Sequence, residues 1–396
     1  MSHLGPFRLN APSIAINRSV ASLKVTPSVS SQRGVALLTI LLLVVSITVV
    51  AGAMLASQKV AIRKSSLLFE QDQLLQDINA GEQLAVALIS ADSKLNDTDS
   101  SKDIWAQPIP PYPMGTHVLT IEITDAASRF NINNLYHDGQ ADSAALAAFK
   151  RLLAQLNLPE SIAVAVLDWQ DPDSQVYEDK GDEAVVYRDS GASTGINSNG
   201  SQVNIANQPF VSIDQLIEVS GMTNERLAAL RPYITAVPYY VPINVNTAEP
   251  PVLAAVVEGG SSEQMQAIVS GRQSQAIASL EALWQLPPFN GMEDKAKSAV
   301  ANLVSVESNA FMGLISATEA EGSFQQAPRQ RYATVLISKL GDDKKTSQGP
   351  NGGAEDQNGS KQNPDQGATN TNQDKGSENK AKIVTAFSQR LWPYRP

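Results

Sequence analysis

The densest group of side chains able to do chemistry is acidic. It runs Asp168-Trp-Gln-Asp-Pro-Asp-Ser-Gln-Val-Tyr-Glu-Asp-Lys-Gly-Asp-Glu183, with Asp171, Asp173, Asp179, Asp182 and Glu183 following Asp168 on one loop. Hard cations such as calcium take about six to eight oxygen ligands in adaptable geometry, so a loop of this kind can hold one. The spacing is not that of an EF-hand, which needs alternating acidic positions, a central Gly and a distal Glu. A solvated acidic loop is the competing reading, and spacing alone selects no individual ligand.

Other chemistries have little to draw on. Cysteine is absent and histidine occurs only as His3, His117 and His137, which removes thiolate catalysis, disulfides and cysteine-based zinc sites. There is no G-x-S-x-G, H-E-x-x-H, P-loop or G-x-G-x-x-G, and carboxylate pairs are plentiful without one standing out as an acid/base couple. The sequence is not that of an enzyme. Arg129-Phe-Asn-Ile-Asn-Asn-Leu135 and Ile243-Asn-Val-Asn-Thr247 are Asn-rich turns between apolar anchors, where the amides are expected to serve backbone groups. Asn244–Leu253 is similar to the entry of a helix-hairpin-helix unit, a fold that often grips DNA phosphates. Here, however, ten acidic residues face five basic ones between Phe210 and Ser308, and the whole chain carries a net charge of −10. Phosphate binding needs the opposite balance, so nucleic acid is not an expected partner.

The elements that must position these residues can be traced along the chain. Val35–Ala56 is an uncharged run of 22 residues, about 33 Å as a helix, which matches a bilayer core of about 30 Å. No Pro interrupts Val35–Ala91, and Val60, Leu67, Leu68, Leu74, Leu75, Ile78, Leu84 and Leu88 recur near helical spacing. One long helix is expected, apolar all round in its first half and amphipathic in its second. The Pro cluster at 108–113 ends it and leads into His117–Thr124, where Leu119, Ile121 and Ile123 alternate with polar residues as in a strand. Arg331–Ser338 and Lys382–Trp392 are also strand-like. Between them Gly341–Lys380 has no large apolar residue and is expected to be a disordered, overgrown hairpin loop. The middle is helical in pattern over Ala144–Leu156, Ser161–Trp169, Ile213–Val219, Asn224–Arg231, Ala248–Glu258, Ser262–Ser270 and Leu280–Gln285. It repeats weakly: Ser212–Val219 aligns with Ser279–Leu286, each opening on a Ser suited to cap a helix, with an acidic residue two positions on.

Residues 1–34 hold four basic and no acidic residues and end at Arg33-Gly34, directly before the apolar run. Basic residues also follow the run (Lys59, Arg63, Lys64), so charge bias does not orient the helix and orientation rests on the leader. Cleavage after Gly34 would keep the membrane helix; cleavage near Ala51-Gly52-Ala53 would release a soluble chain. The order of parts favours the first.

With the Gly34-Val35 junction, Ser128-Arg-Phe-Asn-Ile-Asn-Asn-Leu135, Leu167-Asp-Trp-Gln-Asp-Pro-Asp173 and Ile243-Asn-Val-Asn-Thr-Ala-Glu-Pro-Pro-Val-Leu253 in this order, the chain resembles the type II secretion system protein K family of large minor pseudopilins. The resemblance implies an α+β pseudopilin fold, in which a long N-terminal transmembrane helix packs on a small antiparallel sheet that carries a large all-helical inserted domain. Its parts would be a prepilin leader (1–34), a transmembrane segment (35–56), an amphipathic periplasmic segment (57–92), two portions of sheet (93–131 and 309–396, the latter with loop 341–380) and the insertion (132–308). It further implies that a prepilin peptidase cuts after Gly34 and that the new N-terminus at Val35 is methylated. The bulk of the chain would be periplasmic, anchored by one pass in the inner membrane. The implied partners are the I- and J-type minor pseudopilins in a tip complex, and the major pseudopilin. Proteins of this family bind calcium in the helical domain, which makes Asp171, Asp173 and Glu183, helped by Asp168, Asp179 or Asp182, the implied ligand set. Thr39 stands where most pilins have Glu as the fifth mature residue. A buried carboxylate needs a neighbour to pair with, and a subunit at the tip has none ahead of it. The alternative is a membrane-tethered or secreted calcium-binding protein with a helix-hairpin-helix-like interaction domain.

Overall fold

The computed structural model describes residues 32–172, 176–177, 207–320, 329–340 and 382–396. By internal contacts the chain divides into units spanning Met1–Glu70 and Gln71–Pro396. Helix α1 covers Gln32–Leu95, as the Pro-free run predicts.

In the first unit the described residues are all helical, and the apolar side chains from Val35 to Ile62 are exposed. The hydroxyls within this stretch are satisfied by the helix itself: Thr39 Oγ1 donates to the Ala36 carbonyl (2.9 Å), Ser46 to Leu42 (2.7 Å), Thr48 to Val44 (2.6 Å) and Ser57 to Met54 (2.8 Å). A helix whose backbone and hydroxyl groups are all paired internally suits hydrocarbon, and α1 is long and apolar enough to cross a membrane.

In the second unit the remainder of α1 lies on a five-stranded antiparallel meander in the order β1-β2-β3-β4-β5. The strands are β1 (Tyr112–Met114), β2 (His117–Asp125), β3 (Ala310–Glu319), β4 (Gln330–Leu340) and β5 (Ile383–Trp392). The contact stripe of α1 is Leu74, Ile78, Gly81, Ala85 and Ile89, facing Leu119 and Ile121 of β2, Phe311, Ile315 and Ala317 of β3, and Ala333, Val335 and Ile337 of β4. Leu75 and Leu84, which sequence periodicity assigned to the packed face, are instead exposed at 37% and 39%. The helix comes close to the sheet, so small residues mark the buried stripe and leucines flank it. A buried pair, Asp77 Oδ2 and His117 Nδ1 at 2.7 Å, ties the same helix face to β2.

Gly81 sets how closely the two can approach. A Cβ there would meet Ile315 Cγ2 at 2.7 Å and Leu119 Cδ1 at 3.1 Å. Gly81→Val should therefore lower stability by about 2 kcal/mol through overpacking. Gly81→Ala should cost less, because the gain of about 1 kcal/mol in helix propensity offsets part of the clash. Denaturant unfolding of the full chain in detergent checks both; equal stability of the valine variant and the parent would refute the close contact.

β2 and β3 are adjacent and antiparallel, paired from His117↔Glu319 to Asp125↔Phe311. All of the chain between Asp125 and Ala310 is therefore spliced into a single strand-to-strand connection. Among the described residues its α-helices are α2 (Ser143–Gln155), α3 (Ser161–Asp168), α4 (Asn224–Leu230), α5 (Pro250–Val256), α6 (Ser262–Arg272), α7 (Leu280–Leu283) and α8 (Asp294–Ala301). They surround one core in which Phe130 stacks on Phe149 with ring centroids 5.1 Å apart.

Several details depart from sequence expectation. Residues 213–218 form a 3-10 helix rather than an α-helix, although Ser212 caps it, accepting from the Asp214 amide, and Ser279 caps α7 in the same way through Ala282. The insertion is not purely helical, because two-residue parallel bridges join Phe130–Asn131 to Ile234–Thr235 and Ile243–Asn244 to Val304–Ser305. Strands β1 and β3 and helix α8 were not anticipated; in β3 the inward positions include Gly313 and Ala317, whose small side chains blur the alternation. β4 and β5 pair as a hairpin from Tyr332↔Trp392 to Leu340↔Ile383, and the 341–380 tract expected to be disordered lies outside the described residues.

Candidate functional site

Gly34 and Val35 are in the first turns of α1, and the leader residues 1–31 lie outside the described residues. A Cβ on Gly34 would meet nothing within 4 Å, and Val35 is 64% exposed. Packing thus gives no reason for glycine at this position.

The acidic loop is described only at its edges. Asp168 closes α3 and Asp171 follows within a turn; both are buried. Asp168 Oδ1 accepts from the Tyr177 amide at 3.0 Å, which folds that part of the loop back on the helix end. The Asp171 amide donates to the Leu167 carbonyl (3.2 Å). Between them Trp169 stacks on Phe210 with centroids 5.9 Å apart, and Gln170 Nε2 donates to the Ile132 and Val166 carbonyls, both at 3.0 Å. Two carboxylates thus sit against a hydrophobic core at the negative end of a helix dipole, a place that disfavours anions and favours a cation beside them. Asp173, Asp179, Asp182 and Glu183 lie outside the described residues.

The Asn-rich turns act as structural clips. Asn131 Oδ1 accepts from the Val237 amide (2.9 Å) while its Nδ2 donates to the Val237 and Tyr239 carbonyls (3.1 and 2.8 Å). Asn133 exchanges two bonds with the Phe210 backbone (2.9 and 2.8 Å), Asn134 two with Val241 (2.6 and 3.0 Å) and Asn246 two with Ile277 (3.0 and 2.8 Å). Each amide replaces a backbone pairing partner for a segment distant in sequence, which is why these buried residues are polar.

The root of the insertion is held by a polar cluster that sequence reasoning missed. Asp125, last in β2, accepts at Oδ1 from the Ala127 amide (2.7 Å). At Oδ2 it accepts from Ser308 Oγ (2.6 Å), Asn244 Nδ2 (3.2 Å) and the Thr247 hydroxyl. Asn244 also donates to the Asp99 carbonyl (2.9 Å), and Asp99 Oδ2 accepts from the Ser308 amide (2.7 Å) and Lys339 Nζ (2.5 Å). Burial pushes the Asp125 carboxyl up to about 6, against the pull of its hydroxyl and amide donors. The faint signal in sequence is Lys339, a charge just beyond the apolar run Val335-Leu336-Ile337 of β4. Its partner lies far away in the chain, which no local pattern reveals.

A helix laid on an antiparallel meander, with a helical body spliced into one hairpin, defines a pseudopilin-type subunit. A family model for type II secretion system (T2SS) protein K, first domain, matches residues 128–239, and a second protein K model matches residues 243–307. Type II secretion system protein K of Pseudomonas aeruginosa is 29% identical over 238 residues, 57% of this chain and 68% of that one. The protein K of Pectobacterium carotovorum subsp. carotovorum is 28% identical, with 75% of this chain and 92% of that one covered. The crystal structure of the GspK-GspI-GspJ complex from the enterotoxigenic Escherichia coli type 2 secretion system contains a chain of the same fold, with a TM-score of 0.55 and 21% identity over 70% of this chain and 95% of that one. Together these findings support a relationship to type II secretion system protein K.

Proposed function

We propose that this chain is a minor pseudopilin that caps the tip of the type II pseudopilus together with I- and J-type minor pseudopilins, and so takes part in export of folded proteins. The observation that carries this reading is the combination of protein K matches across the insertion with an apolar helix start that is exposed among the described residues. That stretch anchors the precursor in the inner membrane, with the remainder of the chain in the periplasm, and later packs among the helices of neighbouring subunits. Thr39, bonded only to its own helix, brings no intramembrane charge that a subunit ahead would have to neutralise. The role is that of a scaffold rather than an enzyme. Protein K matches favour it over a free-standing calcium-binding protein, and the acidic balance around Asn244–Leu253 argues against DNA. Detergent extraction of the tagged full chain should recover I- and J-type pseudopilins at near-equal stoichiometry. Recovery of the mature chain without them, under conditions where secretion is active, would defeat the reading.

Calcium is the proposed ligand of the 168–183 loop, in a structural role. The two described carboxylates fit a hard cation by donor type, burial and place on α3. Asp168 and Asp171 would bind from the helix end, with Asp173, Asp179, Asp182 and Glu183 supplying oxygens from the loop. A cation bound only to the native state would stabilise it by about 2.7 kcal/mol at a concentration 100-fold above Kd. Calcium should therefore raise the melting midpoint of the full chain relative to chelator, and Asp171→Asn combined with Asp173→Asn should shrink that rise. An identical rise in the double variant would return the segment to a solvated acidic loop.

A further inference from the structure

We propose that Asp92, Asp99 and Asp103 form a second site for a calcium-like divalent cation, at the junction where α1 ends and the root of the insertion begins. It uses none of the residues of the 168–183 loop and stands whether or not that loop binds metal.

One carboxylate oxygen from each of the three lies within 4.8 Å of the other two. Oxygens held at about 2.3–2.6 Å from one calcium can be at most about 5 Å apart, so a single ion can touch all three. Asp92 and Asp99 are each 1% exposed and Asp103 is partly buried. Independently of the clustering, Asp92 is served on one side only: Oδ1 accepts from Asn96 Nδ2 at 2.8 Å, while Oδ2 is buried and meets no hydrogen-bond donor. A buried carboxylate oxygen without a donor is unfavourable unless a cation serves it. The other two carboxylates are held in place by their own donors. Asp103 accepts from the Ser100 amide (2.6 Å) and hydroxyl (3.0 Å), and Asp99 accepts at Oδ2 from Lys339 Nζ and the Ser308 amide.

Charge points the same way. Three carboxylates against the one ammonium of Lys339 leave two negative charges, which a divalent ion cancels. Asp92 also lies in the last turns of α1, where the helix dipole repels an anion. All-oxygen ligands of irregular geometry suit calcium better than magnesium, which demands near-octahedral placement. The ion would clamp the end of α1 to the turn that carries Asp99, and through Asp99 to Ser308 and Lys339.

Trp105, buried and two residues beyond Asp103, provides a local reporter. Terbium, a luminescent calcium mimic, titrated into the full chain in detergent should give tryptophan-sensitised emission that calcium displaces. Trp105→Phe should remove one component of it, Trp169→Phe should leave that component in place, and Asp103→Asn should weaken it at least tenfold. Emission with no Trp105-dependent part, or a Trp105-dependent part unchanged in Asp103→Asn, would overturn the site. If Asp103→Asn fails to fold, comparison of the parent with Trp105→Phe decides alone.

Discussion

Replacing Gly34 with leucine is expected to leave nearly all of the chain as full-length precursor in the inner membrane and to stop it from joining the pseudopilus. A Cβ at this position touches nothing in the fold and Val35 is exposed, so leucine should leave folding and membrane insertion intact. What a side chain obstructs is close approach of the scissile backbone to a peptidase, a usual reason for glycine at a point of contact. Alanine should slow processing rather than abolish it. Mass spectrometry of the purified chain reads the result directly: the parent should begin at a methylated Val35 and the leucine variant should retain its leader. A normal-length mature chain from the leucine variant would sink the idea.

The second large effect is expected at Asp125. Asp125→Ala removes the acceptor shared by Ala127, Asn244, Thr247 and Ser308 in a fully buried site, and buried donors left without partners cost about 1–3 kcal/mol each. Some relaxation is available, because Asn244 keeps Asp99 and Ser308 as partners. A net loss of about 3–5 kcal/mol is expected. Asp125→Asn should cost less, since an amide resembles the protonated carboxyl. The pH dependence follows from the direction of the shift. A carboxyl held at about 6 in the folded chain, against 3.8 as its ordinary value, keeps its proton longer when folded than when unfolded. Its contribution to stability is therefore largest below about pH 4, declines as pH rises toward 6 and is flat above that. The decline should be shallower in Asp125→Asn, and urea unfolding of parent and variant at pH 4, 5, 6 and 7 measures the difference. Parallel curves for the two proteins would show that Asp125 is not the titrating group.

Which parts were legible in sequence depends on how locally each is encoded. The extent of α1 was readable because an unbroken Pro-free run leaves a helix little competition. β2 was readable because Leu119, Ile121 and Ile123 alternate without interruption. The packed face of α1 was misread where hydrophobicity and burial part company, since Gly81 and Ala85 go in and Leu84 stays out. The Asn clips were predictable in kind but not in partner, because Asn131 meets Val237 only once the insertion has folded. The root cluster escaped notice because Asp99, Asp125, Ser308 and Lys339 lie in separate elements and each looks ordinary beside its own neighbours. Of the acidic loop, Asp168 and Asp171 belong to a buried helix end rather than to an open, solvated segment, a distinction that composition cannot make.

The splice of the insertion between β2 and β3 also governs when the molecule can fold. The pairing Asp125↔Phe311 joins positions separated by the whole helical body, so the sheet is a high-contact-order element whose closure waits on everything between. The loop-closure penalty grows only logarithmically with the length of flexible chain, but it falls sharply once that chain is itself compact and its ends lie together. The expected order of events follows: the helical body collapses first, Asn244 joins Asp125 to Ser308, and the sheet zips last. Until then β2 has only the short β1 beside it, a strand edge open to wrong pairing. A chain folding as it emerges from its N-terminus would expose that edge for as long as the body takes to form. Chaperones would thus have a defined window in which to act, one that closes when Ser308 reaches Asp125.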